Sequence, residues 1–162
     1  MSSESEALSL GEQKTYAAIL WGGLLAGSLD ISAAFVNSGI RGRSPMWVLQ
    51  SVASGLLGSA SYQGGVPAAA LGAVLHFFIA FSACAVFFAA SRKIEFLVER
   101  AIVSGILYGI AVYLFMYGVV LPLTFHRNFL TPLSAVLVAL TIHIFCVGLP
   151  IALVVSRYPS TR

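Results

Sequence analysis

From Ser44 to Ser91 the chain contains no Asp, Glu, Lys or Arg, and from Ala101 to Ser156 it contains only Arg127. A water-soluble domain built this way would expose apolar surface over most of its exterior and aggregate. In a bilayer the same surface faces acyl chains, provided the backbone closes its own hydrogen bonds as helix. The composition agrees: 9% of residues are charged, against roughly a quarter in soluble domains. These features predict an all-α, polytopic membrane helix bundle.

A spanning helix needs about 20 mainly apolar residues. Four stretches qualify, at about 16–37, 66–90, 101–123 and 133–155. Leu130-Thr131-Pro132 predicts the start of the fourth, with Thr131 as cap and proline at the first helical position. Residues 1–14, "MSSESEALSLGEQK", are acidic and Ser-rich, lack the basic region of a signal peptide, and are expected to be a flexible tail. Residues 15–157 then form one transmembrane domain and 158–162 a second short tail. Between the second and third spans, "SRKIEFLVER" has charge spacings that suit a short surface helix.

The segment 45–62 is apolar but carries Gln50 and several serines, with Pro45 opening it and Gly64-Gly65 closing it. It is expected to be an interfacial or re-entrant helix rather than a lipid-facing span; a fifth span is the alternative. With four spans, Lys14, Arg92, Lys93, Arg100, Arg157 and Arg162 share one side, and Arg41, Arg43 and Arg127 the other. The basic excess predicts a cytoplasmic C-terminus, and the five-span alternative predicts the same. Basic residues beside apolar spans suit lipid headgroups, not nucleic acid. Arg41, Arg43 and Arg127 are the headgroup candidates, with Gly39 the expected C-cap of the first span. Cys84 and Cys146 lie within spans, without CxxC spacing, and read as small packing residues.

Asp30 is the only aspartate in the chain. Gly23, Gly27, Asp30, Ala34 and Asn37 recur at steps of 4, 3, 4 and 3 and so share one helix face. That small-residue face is expected to pack closely and turn Asp30 into the bundle. The third span offers a matching step at Gly105 and Gly109, with Tyr108, Tyr113 and Tyr117 nearby. His76 and His143 both fall roughly 15 Å below the expected outer end of their spans, and Asp30 roughly 10 Å below. Asp30, Asn37, His76 and His143 are therefore the candidate lining of one polar pocket.

An Asp and His in such a pocket suit a proton relay. Two histidines at equal depth also suit axial ligation of haem b, a lesser alternative, and the neighbouring cysteines permit a soft metal site, lower still. No catalytic or nucleotide-binding motif such as GxxxxGK[ST], HExxH or GxSxG occurs, so no enzyme, and neither cofactor nor metal, is expected. The leading expectation is a non-enzymatic pocket protein that binds or permeates a small solute or protons. The competing one is a structural or accessory subunit, joining its own copies or a larger membrane complex through glycine faces.

The stretches "GGLLAGSLDISAAFVNSGIRGRSP", "LHFFIAFSACAVFF", "LYGIAVYLFMYGVVLPL" and "THIFCVGLP" together resemble the YagU-like family of small bacterial inner-membrane proteins. The matching positions are the turn Arg43-Ser44-Pro45, His76, Pro122 and His143. The resemblance implies a bacterial cytoplasmic membrane and brings no activity with it.

Overall fold

The structure, a computed structural model, describes residues 2–122 and 132–158, with side chains from residue 13 onward. Its elements are α1 (Ser2–Gly39), α2 (Pro45–Leu57), a 3₁₀ turn (Gly58–Gln63), α3 (Gly65–Ser91) and α4 (Phe96–Glu99). Then follow α5 (Ala101–Phe115), which runs into a π-helical segment (Met116–Val120), and α6 (Leu133–Ile142). A second π segment (His143–Gly148) joins α6 to α7 (Leu149–Val155).

Four stretches are long and apolar enough to cross a membrane: Gln13–Gly39, Gly65–Ser91, Ala101–Val120 and Leu133–Val155. The protein is a multi-pass helical membrane protein. Its outward surface is apolar, with Leu20, Trp21, Val74, Phe78, Leu107, Leu114 and Leu137 all exposed. Serines on that surface bond their own helix, as Ser32 Oγ to the Ser28 carbonyl and Ser82 Oγ to the Phe78 carbonyl, both at 2.7 Å. In hydrocarbon, a hydroxyl without such a partner would be costly.

The register between spans fixes the topology. The Cys84 thiol reaches the Ala18 carbonyl, Gly23 lies against Phe81, Gly27 against Phe77, and Asp30 faces His76. Numbers rise on α1 as they fall on α3, so these helices are antiparallel, and Gly39 and Gly65 lie at the same end. A fifth span between them would make α1 and α3 parallel. Length agrees: the 13 residues of α2 cover ~20 Å at 1.5 Å per residue, short of a hydrocarbon core of about 30 Å. Instead α2 packs sideways on the first turns of α3, its Leu49 carbonyl against Gly72, and Gln50 Nε2 donates to the Gly65 carbonyl at 3.1 Å. Ser44 caps α2 by accepting from the Trp47 amide at 3.2 Å. Gly58, at φ +61°, ends it in a conformation that other residues rarely adopt.

Several expectations need correction. The segment expected as a tail is helical from Ser2 and continuous with α1. The left-handed glycine after α1 is Gly42, φ +73°, and not Gly39. The two glycine steps do not meet each other. Gly23 and Gly27 face α3, whereas Gly105 and Gly109 face the last span, where Gly148 approaches them backbone to backbone. Pro132 occupies the cap position of α6, with helix beginning at Leu133; Thr131 lies outside the described residues. The expected surface helix shrinks to the single turn of α4. Arg92 is drawn inward instead, stacking over Phe88 at 3.9 Å and donating from Nη2 to the Tyr158 carbonyl at 2.7 Å. Partial burial lowers its pKa from the ordinary arginine value.

Both π segments precede a proline. Proline lacks an amide hydrogen and crowds the carbonyl four residues earlier, here that of Gly118 for Pro122 and of Cys146 for Pro150. Widening the turn relieves that conflict: Leu121 N–H bonds the Met116 carbonyl, and Leu149 N–H the Ile144 carbonyl, each five residues back.

Candidate functional site

A cavity of about 300 Å³ lies inside the half of the bundle nearer Gly39. It runs from Ala26, Ala83 and Val147 near mid-bundle to Ser38 and Leu121 at the helix ends, with Val48, Ser51 and Val52 of α2 forming one wall. Asp30, His76 and His143 all line it. Asn37 does not: its side-chain oxygen accepts from Arg41 Nη2 at 3.4 Å, and Ser38 supplies the lining there. The spacing that puts Asn37 on the Asp30 face is sound, but at the last turn of α1 the neighbouring Arg41 claims its amide.

His76 connects α1 to α3 twice. Nε2 lies 2.8 Å from the Gly27 carbonyl, and Nδ1 lies 4.0 Å from Asp30 Oδ2. A carbonyl oxygen only accepts, so Nε2 carries a proton in either charge state of the ring. The remaining nitrogen then decides the chemistry. A neutral ring beside an ionised Asp30 would aim the Nδ1 lone pair at a negative charge. One further proton removes that conflict, either on Nδ1 opposite a carboxylate or on the carboxyl opposite a neutral ring. In both states the pair has no net charge, which suits a site that retains only 25% of the Asp30 and 12% of the His76 side-chain exposure. Gly27 has two roles here. Without a side chain it lets Phe77 approach to where a Cβ would stand 2.8 Å away, and its carbonyl sets the tautomer of His76.

His143 is oriented differently. Its Nδ1–H donates to the Ala139 carbonyl one turn back at 2.8 Å, leaving Nε2 as the acceptor of the neutral ring. Its ring stands nearly perpendicular to those of Tyr113 and Tyr117, at 5.7 and 6.1 Å, and the two tyrosines stack on one another at 4.6 Å. His143 begins one π segment and Tyr117 sits in the other. Each proline-driven distortion therefore carries two lining residues, Met116 and Tyr117 in the first and His143 and Val147 in the second.

Ligation of haem iron by both histidines, the lesser expectation, would draw on His76 at one of its two engaged nitrogens. Nε2 of His76 is committed to Gly27 and Nδ1 faces Asp30, so either nitrogen would have to abandon its partner. Among the described residues no group of three His, Cys, Asp or Glu side chains converges to hold a metal ion. Cys84 is fully buried against Gly22 and Ala18, and Cys146 is half-buried.

Of the headgroup candidates, Arg43 stacks on Trp47 at 3.7 Å, and Trp47 stacks on Tyr62 at 5.5 Å. Such aromatic and basic residues suit a membrane interface. Arg127, with His126 and Asn128, lies outside the described residues. The sequence reading missed the wall formed by α2 and the role of Gly148. The glycine two residues before Pro150 was the available signal for the second.

No family model matches the chain, and no curated protein or solved structure matches it. The likeness to the YagU-like family rests on the quoted motifs alone.

Proposed function

We propose that the protein is a non-enzymatic carrier of protons, or of a solute coupled to them, in a bacterial cytoplasmic membrane with its C-terminus in the cytoplasm. The observation that carries this reading is the double engagement of His76. Its fixed Nε2 proton leaves the Asp30–His76 pair room for one mobile proton, inside a cavity that reaches the outer end of the bundle in this orientation. An intramembrane carboxylate is expensive to retain without such a use. Toward the other end, Ala18, Cys84, Phe87, Ile151 and Val155 are packed without exposure above 1%. A proton taken up from outside therefore needs a rearrangement to leave inward, as in a carrier rather than an open channel.

The accessory-subunit reading loses support, because Gly23, Gly27, Gly105 and Gly109 are all used in packing within the chain. Those faces have nothing left to offer a second copy or a larger complex. The test is proton flux into proteoliposomes under an imposed pH gradient. Wild-type protein is expected to accelerate acidification, and Asp30→Asn and His76→Gln to fall to the rate of protein-free vesicles. Equal flux from wild type and Asp30→Asn would refute the reading.

A further inference from the structure

We infer that the cavity takes a small lipophilic organic monocation, such as an alkylammonium, in exchange for the proton of the Asp30–His76 pair. The inference rests on the one-proton reading of that pair. When the proton leaves, the pair carries one uncompensated negative charge on side chains that retain only 25% and 12% of their exposure, and an entering monocation restores neutrality. The balance is one proton out for one positive charge in, with no covalent step. An anion finds no counter-charge, because no Lys or Arg is among the lining residues.

The walls choose among cations. A bare metal ion needs several oxygen ligands, and the lining offers the Asp30 carboxylate and the hydroxyls of Ser38, Ser51 and Tyr117 dispersed among Ile31, Val52 and Ile79. An organic cation needs one carboxylate, apolar contact and an aromatic face. Tyr117 is the phenol ring of the lining, with Tyr113 stacked on it. A volume of about 300 Å³ is at the lower end of ordinary ligand pockets, so the ligand is small.

The groups that bear on the Asp30 charge come from every neighbouring element. His76 faces it from α3, Tyr117 follows α5, and His143 and Cys146 belong to the last span. From α2 the lining residues are Val48, Ser51 and Val52, none of which titrates. Arg41 bonds Asn37 and is not among the lining residues.

The experiment is calorimetric titration of the detergent-purified full chain with tetraethylammonium chloride, in two buffers of different ionisation enthalpy. Wild type is expected to bind with release of up to one proton per cation. Asp30→Asn is expected to bind at least ~10-fold more weakly and release none. Tyr117→Leu is expected to weaken tetraethylammonium binding by a smaller factor than Asp30→Asn, read in the same titration. Absence of binding to folded wild type, or equal binding by Asp30→Asn, would overturn the inference. If flux persists without cation binding, the carrier reading survives and this one fails; if both are absent, both fail. Binding with proton release but no flux supports this inference and removes the carrier reading.

Discussion

The two halves of the bundle solve the same packing problem with different residues. Toward Ser91 the interior is Ala18, Cys84, Phe87, Ile151, Ala152 and Val155, and its polar groups bond backbone carbonyls. Tyr108 O–H donates to the Ala83 carbonyl at 2.6 Å, Ser91 Oγ to Phe88 at 2.7 Å, and Ser104 Oγ to Phe96 at 3.2 Å. Toward Gly39 the helices enclose a cavity, and its lining adds an acid and two imidazoles to the hydroxyls of Ser38, Ser51 and Tyr117. The closed half holds its hydroxyls in backbone bonds; the other half adds an acid and two imidazoles where a solute can reach them. Rigidity and chemistry are thus separated along the bundle axis, and the glycine crossings between them allow the helices to come close enough for both.

That separation predicts a graded set of substitutions. The largest effect belongs to the crossing of α5 with the last span. A Cβ on Gly148 would collide with the Gly105 carbonyl and the Gly109 backbone, and one on Gly109 would lie 2.6 Å from Ile144 Cα. Gly148→Leu is expected to abolish the monodisperse folded species in size-exclusion chromatography. Gly118→Ala, where an added Cβ meets nothing within 4 Å, is expected to stay within ~1 kcal/mol of wild type. Equal tolerance of both would break the account of the crossing.

Phe87→Ala, in the closed half, comes next. In soluble cores such a truncation costs about 3–5 kcal/mol. Here the loss should be smaller, because apolar transfer from lipid contributes little and the lost packing remains. Thermal unfolding in detergent is expected to show a clear drop in Tm with proton flux retained below it. Asp30→Asn should give the smallest stability change, within about 1 kcal/mol, while removing flux. If Asp30→Asn instead destabilises as much as Phe87→Ala, the carboxyl is a structural group and the contrast between the halves fails.

The spans were legible because absence of charge over 20 or more residues leaves a helix few alternatives. The depth of Asp30, His76 and His143 was legible too, since a helix converts sequence distance into height. Their direction was not: His143 could have faced lipid at the same depth, and only its contact with Tyr113 and Tyr117 resolves it. Asn37 illustrates the opposite error, correct in angle but claimed by Arg41 at the helix end. The wall formed by α2 was hidden because Val48, Ser51 and Val52 do not differ in kind from lipid-facing residues. The π segments had a signal in Pro122 and Pro150, but proline announces a distortion without saying which side chains it will reposition.

Because Asp30 is the only aspartate, carbon-13 labelling of the aspartate carboxyl reports on this site alone. The most direct measurement is the NMR titration of that carboxyl in wild type and in His76→Gln. The account predicts one resonance that moves with pH in wild type and moves over a different pH range when His76 is replaced, because the two groups share a proton. A resonance that does not respond to pH, or one whose titration ignores the loss of His76, would contradict it.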